Sequence, residues 1–470
     1  MFKKINFPVL TPILVCVIFF ILYSILSVVR HNFYGSFGAD LGFMDRQFWQ
    51  YSHFNLSQLI GQAHLEPTSL LLSSLYWVWA DPRILIIFQS FIITTSGVAI
   101  YLLAKKQKLN SFLCYSILLS YLLFYGVQSA IWFDVHTSVW GSAFFIWFIY
   151  FLDTDRKKLT LLSFLLAIGS KENMAAYIFL FTGVYFLLTR KREALFYTLG
   201  AASYLFLLFK VIYPATLSSG YSYASSGGLV SGSPLQLIDT LVKQKTIFYT
   251  FASVGFIPFL FPFYLIPIFG NFSSYFILGR EYVAAHDTFM HYRVDLLPLV
   301  FSALVFTLAR YKWLNNKYIA FYLIFCALLC QYALHLPLSY LAKKWFWTQP
   351  GGVVSINKTI KDIPKSSSVV AQNNIYPHVS QREDISLLWP DERTFPKNSP
   401  CGQLHCPWFR WTNNPEFLIV DLSPEWDIRH MLQQNSEFTV AVRSMEKEGI
   451  IKKYSQNQST ILYKVLKKAK

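Results

Sequence analysis

The chain has 470 residues, of which 54% are hydrophobic and 14% charged, against about 25% charged in an ordinary soluble domain. These proportions exclude a disordered chain, a small disulfide scaffold and a typical soluble enzyme, and they indicate a protein that crosses a membrane many times. The net charge of +16 is first a sign of sidedness, because Lys and Arg collect on the cytoplasmic side of membrane proteins, and it gives no reason to expect nucleic acid as a partner.

Residues Met1 to Lys4 are basic and 9–29 are apolar. A run of about 20 residues suits a spanning helix, and no small-residue cleavage site follows it. It reads as an uncleaved first helix with its N-terminus inside. Further apolar runs lie at 82–103, 111–130, 139–152, 159–169, 174–188, 194–213, 246–268, 293–309 and 318–338. Several are shorter than the bilayer core, which is tolerated where protein surrounds them. Pro258, Pro262 and Pro267 predict a broken hairpin that enters and leaves on one side. Alternating the sides from the N-terminus places Lys105–Lys108, Arg156–Lys158, Arg190–Arg192 and Arg310–Lys317 all on the inside. The outer connections become 30–81, 131–138, 170–173, 214–245, 269–292 and everything after 338.

The composition turns polar after that point. Glu416–Asp421 and Ser459–Val465 alternate as strands, Trp426–Gln434 reads as a helix, and 214–233 reads as a Gly/Ser-rich loop. Cys401 and Cys406 either pair in an oxidising compartment or remain thiols. Cys16, Cys114, Cys326 and Cys330 lie in apolar runs and are expected to be inert. The expected fold is an α-helical polytopic membrane protein of about 10–12 spans. Residues 1–338 form the membrane domain, with a first outer loop at 30–81. Residues 339–470 form a small C-terminal α/β extracytoplasmic domain. The expected location is the plasma membrane, multi-pass, with a cytoplasmic N-terminus.

The outer loops concentrate acids and histidines. Ionisable groups near membrane depth are costly and usually face a cavity or a partner. Asp40 and Asp45 flank Leu41-Gly42, which reads as a turn; either acid suits a general base, a metal ligand or a plain solvated loop. His64/Glu66 and Asp134/His136 share an i, i+2 spacing that points both side chains the same way on an extended segment. Each pair suits one ion or a simple hydrogen bond. Lys171 suits a lipid phosphate, or an ion pair with Glu172. His286 and His291 suit ligands or substrate contacts, and Arg280 and Arg293 suit phosphate. A divalent metal is a possible cofactor. No P-loop, GxGxxG, HExxH, GxSxG or zinc-spaced CxxC pair occurs.

The segments "DLGFMDRQFWQ", "HLEPTSLLLSSLYWVWADPRILIIFQSFI", "WFDVHTS", "SKEN", "HDTFMHYRVDLLPLVF" and "VVAQNNIYPHVSQR" resemble an uncharacterised family of prokaryotic membrane proteins. That family is similar to the GT-C class of membrane glycosyltransferases. The resemblance covers most of the chain in order. It implies a GT-C-like fold and transfer of a sugar from a polyprenyl-phosphate carrier to an envelope acceptor. On that pattern Asp40 or Asp45 is the base, and Lys171, Arg280 or Arg293 meets the carrier phosphate. His64, Glu66, Asp134 and His136 would line the acceptor or metal part. GT-C members often carry an adjacent acidic pair, whereas these two acids are separated by Leu41-Gly42-Phe43-Met44. A transporter or flippase, and a non-catalytic envelope scaffold, are the competing readings.

Overall fold

The computed structural model describes residues 7–57, 59, 64–217, 233–278, 283–390, 409–411, 415–423 and 435–466. The expected loop at 214–233 falls largely outside this set, and the expected helix Trp426–Gln434, Arg280, Cys401 and Cys406 fall wholly outside it. The chain forms two compact units. One comprises 1–27, 51–78 and 86–342; the other comprises 28–50, 79–85 and 343–470. Part of the first expected outer loop thus belongs with the C-terminal segment.

Among the described residues, six helices are long and apolar enough to cross a membrane: Leu10–Asn32, Arg83–Lys106, Ser111–Phe133, Glu172–Thr189, Arg192–Thr216 and Ala284–Arg310. Thr137–Asp153 and Lys317–Ala333 are shorter apolar helices. This is fewer than the ten to twelve spans read from the sequence. The run 159–169 forms only the 12-residue helix Lys157–Ile168. The run 246–268 breaks where its prolines require: one helix ends at Ala252, two 3-10 turns carry Pro258 and Pro262, and a helix restarts at Leu265. The four cysteines of the apolar runs are buried.

The first unit has a basic end. Asn110 caps Ser111–Leu122 by accepting from the Leu113 amide, and Asn316 caps Lys317–Ala333 in the same way. Asn315 Oδ1 accepts from both the amide and the side chain of Asn110, at 2.8 and 2.9 Å. Gln107 donates to Asp153 at 2.8 Å, Lys191 pairs with Asp155 at 3.1 Å, and Lys157 pairs with Glu193 at 3.7 Å. These bonds gather the four basic clusters at one end, as shared sidedness requires. The helices Thr137–Asp153, Glu172–Thr189 and Leu297–Arg310 end their C-termini there, where cations suit the helix dipole. Their N-termini lie at the opposite end.

The second unit is built on a five-stranded sheet. We label β1 Val369–Ala371, β2 Ile385–Leu387, β3 Trp389–Pro390, β4 Phe409–Arg410, β5 Phe417–Asp421, β6 Ile451–Asn457 and β7 Thr460–Val465. The order is β2-β1-β5-β7-β6, with β1 parallel to β2 and β5 and the remaining pairs antiparallel; β3 and β4 form a separate ribbon. The two strands expected from the sequence are β5 and β7. One face of the sheet packs under Val353 and Ile356 of helix Gly352–Lys361, together with Tyr34. The other face packs under Phe438, Ala441, Val442 and Met445 of helix Asn435–Lys447, a spacing that puts them on one stripe. Central β5 is buried along its whole length, as expected of a strand covered on both faces.

His378 is enclosed in this unit, stacked on His31 at 4.3 Å and beside Tyr34 at 4.0 Å. Burial pushes its pKa down to about 3, with the Asp81 carboxylate opposing that shift and Arg83 adding to it. An unfolded His titrates near 6.5, so the unfolded chain takes up this proton first as pH falls. Stability is therefore expected to be full above pH ~6.5 and to decline from there toward pH ~3. Thermal unfolding of wild type and His378→Phe across pH 7 to 4 checks this; the variant should show the shallower acid slope.

Candidate functional site

At the end of the first unit away from the basic clusters, the chain breaks one helical path. Tyr125–Phe133 ends, Asp134-Val135-His136 runs extended, and Thr137–Asp153 begins. Such a break leaves backbone groups that water cannot reach at membrane depth. Gln89, 2% exposed, satisfies two of them at once. Its Nε2 donates to the Asp134 carbonyl at 2.7 Å, and its Oε1 accepts from the His136 amide at 3.0 Å. Gln89→Leu strands both groups and is expected to destabilise the protein by about 2–4 kcal/mol, read as a lowered Tm in detergent.

Around this break the side chains form three connected groups. His64 Nδ1 lies 2.7 Å from Glu172 Oε1, in the first turn of Glu172–Thr189. Thr137 Oγ1 donates to Glu66 Oε1 at 2.7 Å. Burial raises the Glu66 carboxyl above its ordinary range, opposed by the nearby charges of His64 and Lys171 and by the Thr137 bond, and reinforced by Glu172. His136 stacks face to face on His291, with ring centres 3.5 Å apart and 5° between planes. Phe133 and Tyr292 flank His291 at 4.8 and 4.0 Å. Of the two readings of Lys171, the ion pair with Glu172 is not the contact seen: Glu172 takes His64, and the Lys171 ammonium sits 5.9 Å from the Tyr292 ring centre.

The third group surrounds Arg293. Its guanidinium is fully buried and packs over Tyr275 and Phe276 at 5.1 and 5.4 Å. One nitrogen, Nη2, donates to the Ala285 carbonyl. Its Nε and Nη1 have no hydrogen-bond partner, and it forms no ion pair among the described residues. Asp295 accepts from Asn173 at 2.9 Å and from Tyr275 at 2.7 Å on one carboxylate oxygen, and its other oxygen, Oδ1, is buried without a partner among the described residues. His291 Nδ1 is likewise buried without a partner. His286 lies edge-on to Phe276 at 5.5 Å, and its carbonyl accepts from Thr246.

The sequence reading did not single out Gln89, Thr137, Asn173, Tyr275 or Asp295. Asp295 carried a usable signal, an acid inside the apolar run 293–309. The others are neutral and gain a role only from what they touch.

Asp40 and Asp45 belong to the second unit. Leu41-Gly42 does not separate the two acids by a chain reversal: Gly38–Gly42 is a π-helical segment that continues into helix Phe43–Ser52. Gly42 is required because a Cβ would stand 2.3 Å from the Tyr376 ring. Asp45 is fully buried and accepts from Ser380 Oγ and, at 3.0 Å, from Gln381 Nε2. Asp40 is half-buried.

Among the described residues, no group of three or more His, Cys, Asp or Glu could hold a metal ion. No step below passes through a metal ion.

Residues 36–445 match the family described as "Predicted membrane protein (DUF2079)". No curated protein matches the chain. With most of its length covered, the chain belongs to this family of membrane proteins.

Proposed function

We propose, for this member of a predicted-membrane-protein family, that it is a membrane glycosyltransferase that moves a sugar from a polyprenyl-phosphate carrier to an envelope acceptor. The observation that carries the reading is the fully buried guanidinium of Arg293, which among the described residues forms no ion pair and leaves Nε and Nη1 without a hydrogen-bond partner. A buried cation with donors left unused is costly, and a phosphate oxygen is the acceptor such donors match best. Three helices of the first unit, Thr137–Asp153, Glu172–Thr189 and Leu297–Arg310, begin at this end, and helix N-termini favour anions. Lys171 adds a second cation.

In the proposed reaction a carboxylate takes the proton of an acceptor hydroxyl. The acceptor oxygen attacks the anomeric carbon, and the bond from that carbon to the carrier phosphate breaks. The phosphate leaves with the electron pair, stabilised by Arg293 and Lys171. We assign the base to Asp40 or Asp45. Asp45 is fully buried and Asp40 half-buried, so Asp40 has the access to substrate that a base requires. His64, Glu66, Asp134 and His136, with Glu172 in support, are assigned to the acceptor side, and His286 and His291 to substrate contact. The proposed setting is the plasma membrane, with a cytoplasmic N-terminus and the second unit's C-terminal segment outside.

The test is transfer from a radiolabelled polyprenyl-phosphate sugar in membranes carrying wild type, Asp40→Asn or Asp45→Asn. Asp40→Asn is expected to lose at least about 100-fold in rate, and Asp45→Asn chiefly stability. Wild-type rates in both variants would remove the assigned base. The helix break at Asp134–His136 also suits a transporter or flippase, whose sites sit at discontinuous helices. Movement of the labelled lipid across proteoliposomes without sugar transfer would favour that reading.

A further inference from the structure

The second unit holds another set of buried polar atoms without partners. Gln372, Asn373 and Asn374 directly follow β1, and each is at most 4% exposed. Because β1, β2 and β5 are mutually parallel, their carboxyl ends share one edge of the sheet. From β1 the chain moves to β2 on one side, whereas β5, on the other side of β1, leads to β6 at the far edge. In open α/β sheets a ligand crevice forms outside the carboxyl ends of strands at such a reversal.

The hydrogen bonds fix which way two of these amides face. Gln372 Oε1 accepts from the Asp421 amide at 2.8 Å. Asn373 Oδ1 accepts from the Gly38 and Ala39 amides at 2.7 and 3.1 Å. A backbone N–H demands an oxygen, so the NH₂ group is the other end of each side chain. Among the described residues, Gln372 Nε2 and Asn373 Nδ2 are buried and have no partner, and neither Nδ2 nor Oδ1 of Asn374 has one. Three NH₂ donors and one carbonyl acceptor are therefore gathered on three consecutive residues. Unused buried amides lower stability, a cost typical of binding sites.

None of the unused groups is charged. The neighbouring Asp421 carboxylate, held by Thr460 and at 3.3 Å by Ser459, disfavours an anion. The matching ligand is neutral and offers several oxygens plus a hydroxyl or amide donor. We propose that Gln372, Asn373 and Asn374 form a saccharide-binding site at the carboxyl edge of β1. It uses none of the residues grouped around Arg293 and does not depend on the transfer reaction.

The test uses the full-length protein in detergent with glucose, galactose, mannose, N-acetylglucosamine and, as a contrast, inorganic phosphate. Binding is read by saturation-transfer NMR and by the shift in Tm. At least one saccharide should bind and raise Tm, while any Tm shift with phosphate should be the same in wild type and Asn374→Leu. Asn374→Leu, which removes an unpaired amide, should weaken that saccharide by at least about tenfold without lowering the Tm of the unliganded protein. Asn374→Asp, which keeps the shape and removes the donor, should weaken it as well, and Arg293→Gln should bind it normally. No saccharide binding by wild type, phosphate binding in its place, or undiminished binding by both Asn374 variants would overturn the proposal.

Discussion

Arg293→Gln is expected to lower transfer from a lipid-linked sugar by about 100-fold or more, with the loss mainly in kcat. The side chain of Arg293 is fully buried and uses only Nη2 on protein, at the Ala285 carbonyl. Nε and Nη1 have no hydrogen-bond partner among the described residues, and in the proposed reaction they would meet the charge that grows on the departing phosphate. A donor whose bond strengthens as charge develops acts on the transition state more than on the bound substrate. Glutamine keeps a polar planar end and loses the charge. Arg293→Lys keeps the charge as a point without the planar set of donors, and it should recover part of the rate. The measurement is single-turnover transfer in membranes, with folded protein quantified in parallel, because stacking on Tyr275 and Phe276 also contributes to stability. Arg293→Gln at wild-type rate would show that the guanidinium meets no reacting phosphate.

The second large effect is expected at Gly126. A Cβ there would stand 2.5 Å from the Arg293 carbonyl oxygen and 2.7 Å from its carbonyl carbon. These are backbone atoms, so no rotamer change relieves the contact. Gly126→Ala must push Tyr125–Phe133 away from His291–Leu296, and overpacking of this kind costs about 1–3 kcal/mol. The same shift moves the segment that carries both His291 and Arg293. Loss of Tm and loss of transfer should therefore appear together. Gly183→Ala is the control, since its Cβ would meet only Thr198 at 3.8 Å; it should leave both unchanged. A normal Gly126→Ala protein would refute the close approach.

What the sequence disclosed depended on the range over which its signals act. Hydropathy is local, and it located the apolar helices, the broken run 246–268 and strands β5 and β7. It read more spans than the six long apolar helices found among the described residues, because a run such as 159–169 is apolar without being long. The charge clusters were legible as a set, and the bonds among Gln107, Asp153, Lys191 and Asn315 bring them to one end. The candidate site was legible in its ionisable members, since an acid or histidine beside an apolar run is conspicuous. Its partners were not. His64 meets Glu172 across 108 positions, and nothing in either neighbourhood announces the other. Gln89 reads as one polar residue in an apolar helix until the break at Asp134–His136 is seen to need both ends of its amide. The unit to which 28–50 belongs was hidden for the same reason, because Arg46 donates to the carbonyls of Glu383 and Ile385, over 330 positions away.

That last arrangement sets a schedule for biogenesis. Asp45 and Ser380 are 335 residues apart, so a ribosome adding about 5–20 residues per second leaves the early segment waiting roughly 15–70 seconds for its partner. During that interval Asp45 and the amides of Gly38 and Ala39 have none of their final hydrogen bonds to the C-terminal segment. The second unit is thus assembled only after nearly all of the first has been synthesised, and a stalled or prematurely ended chain yields membrane helices without it.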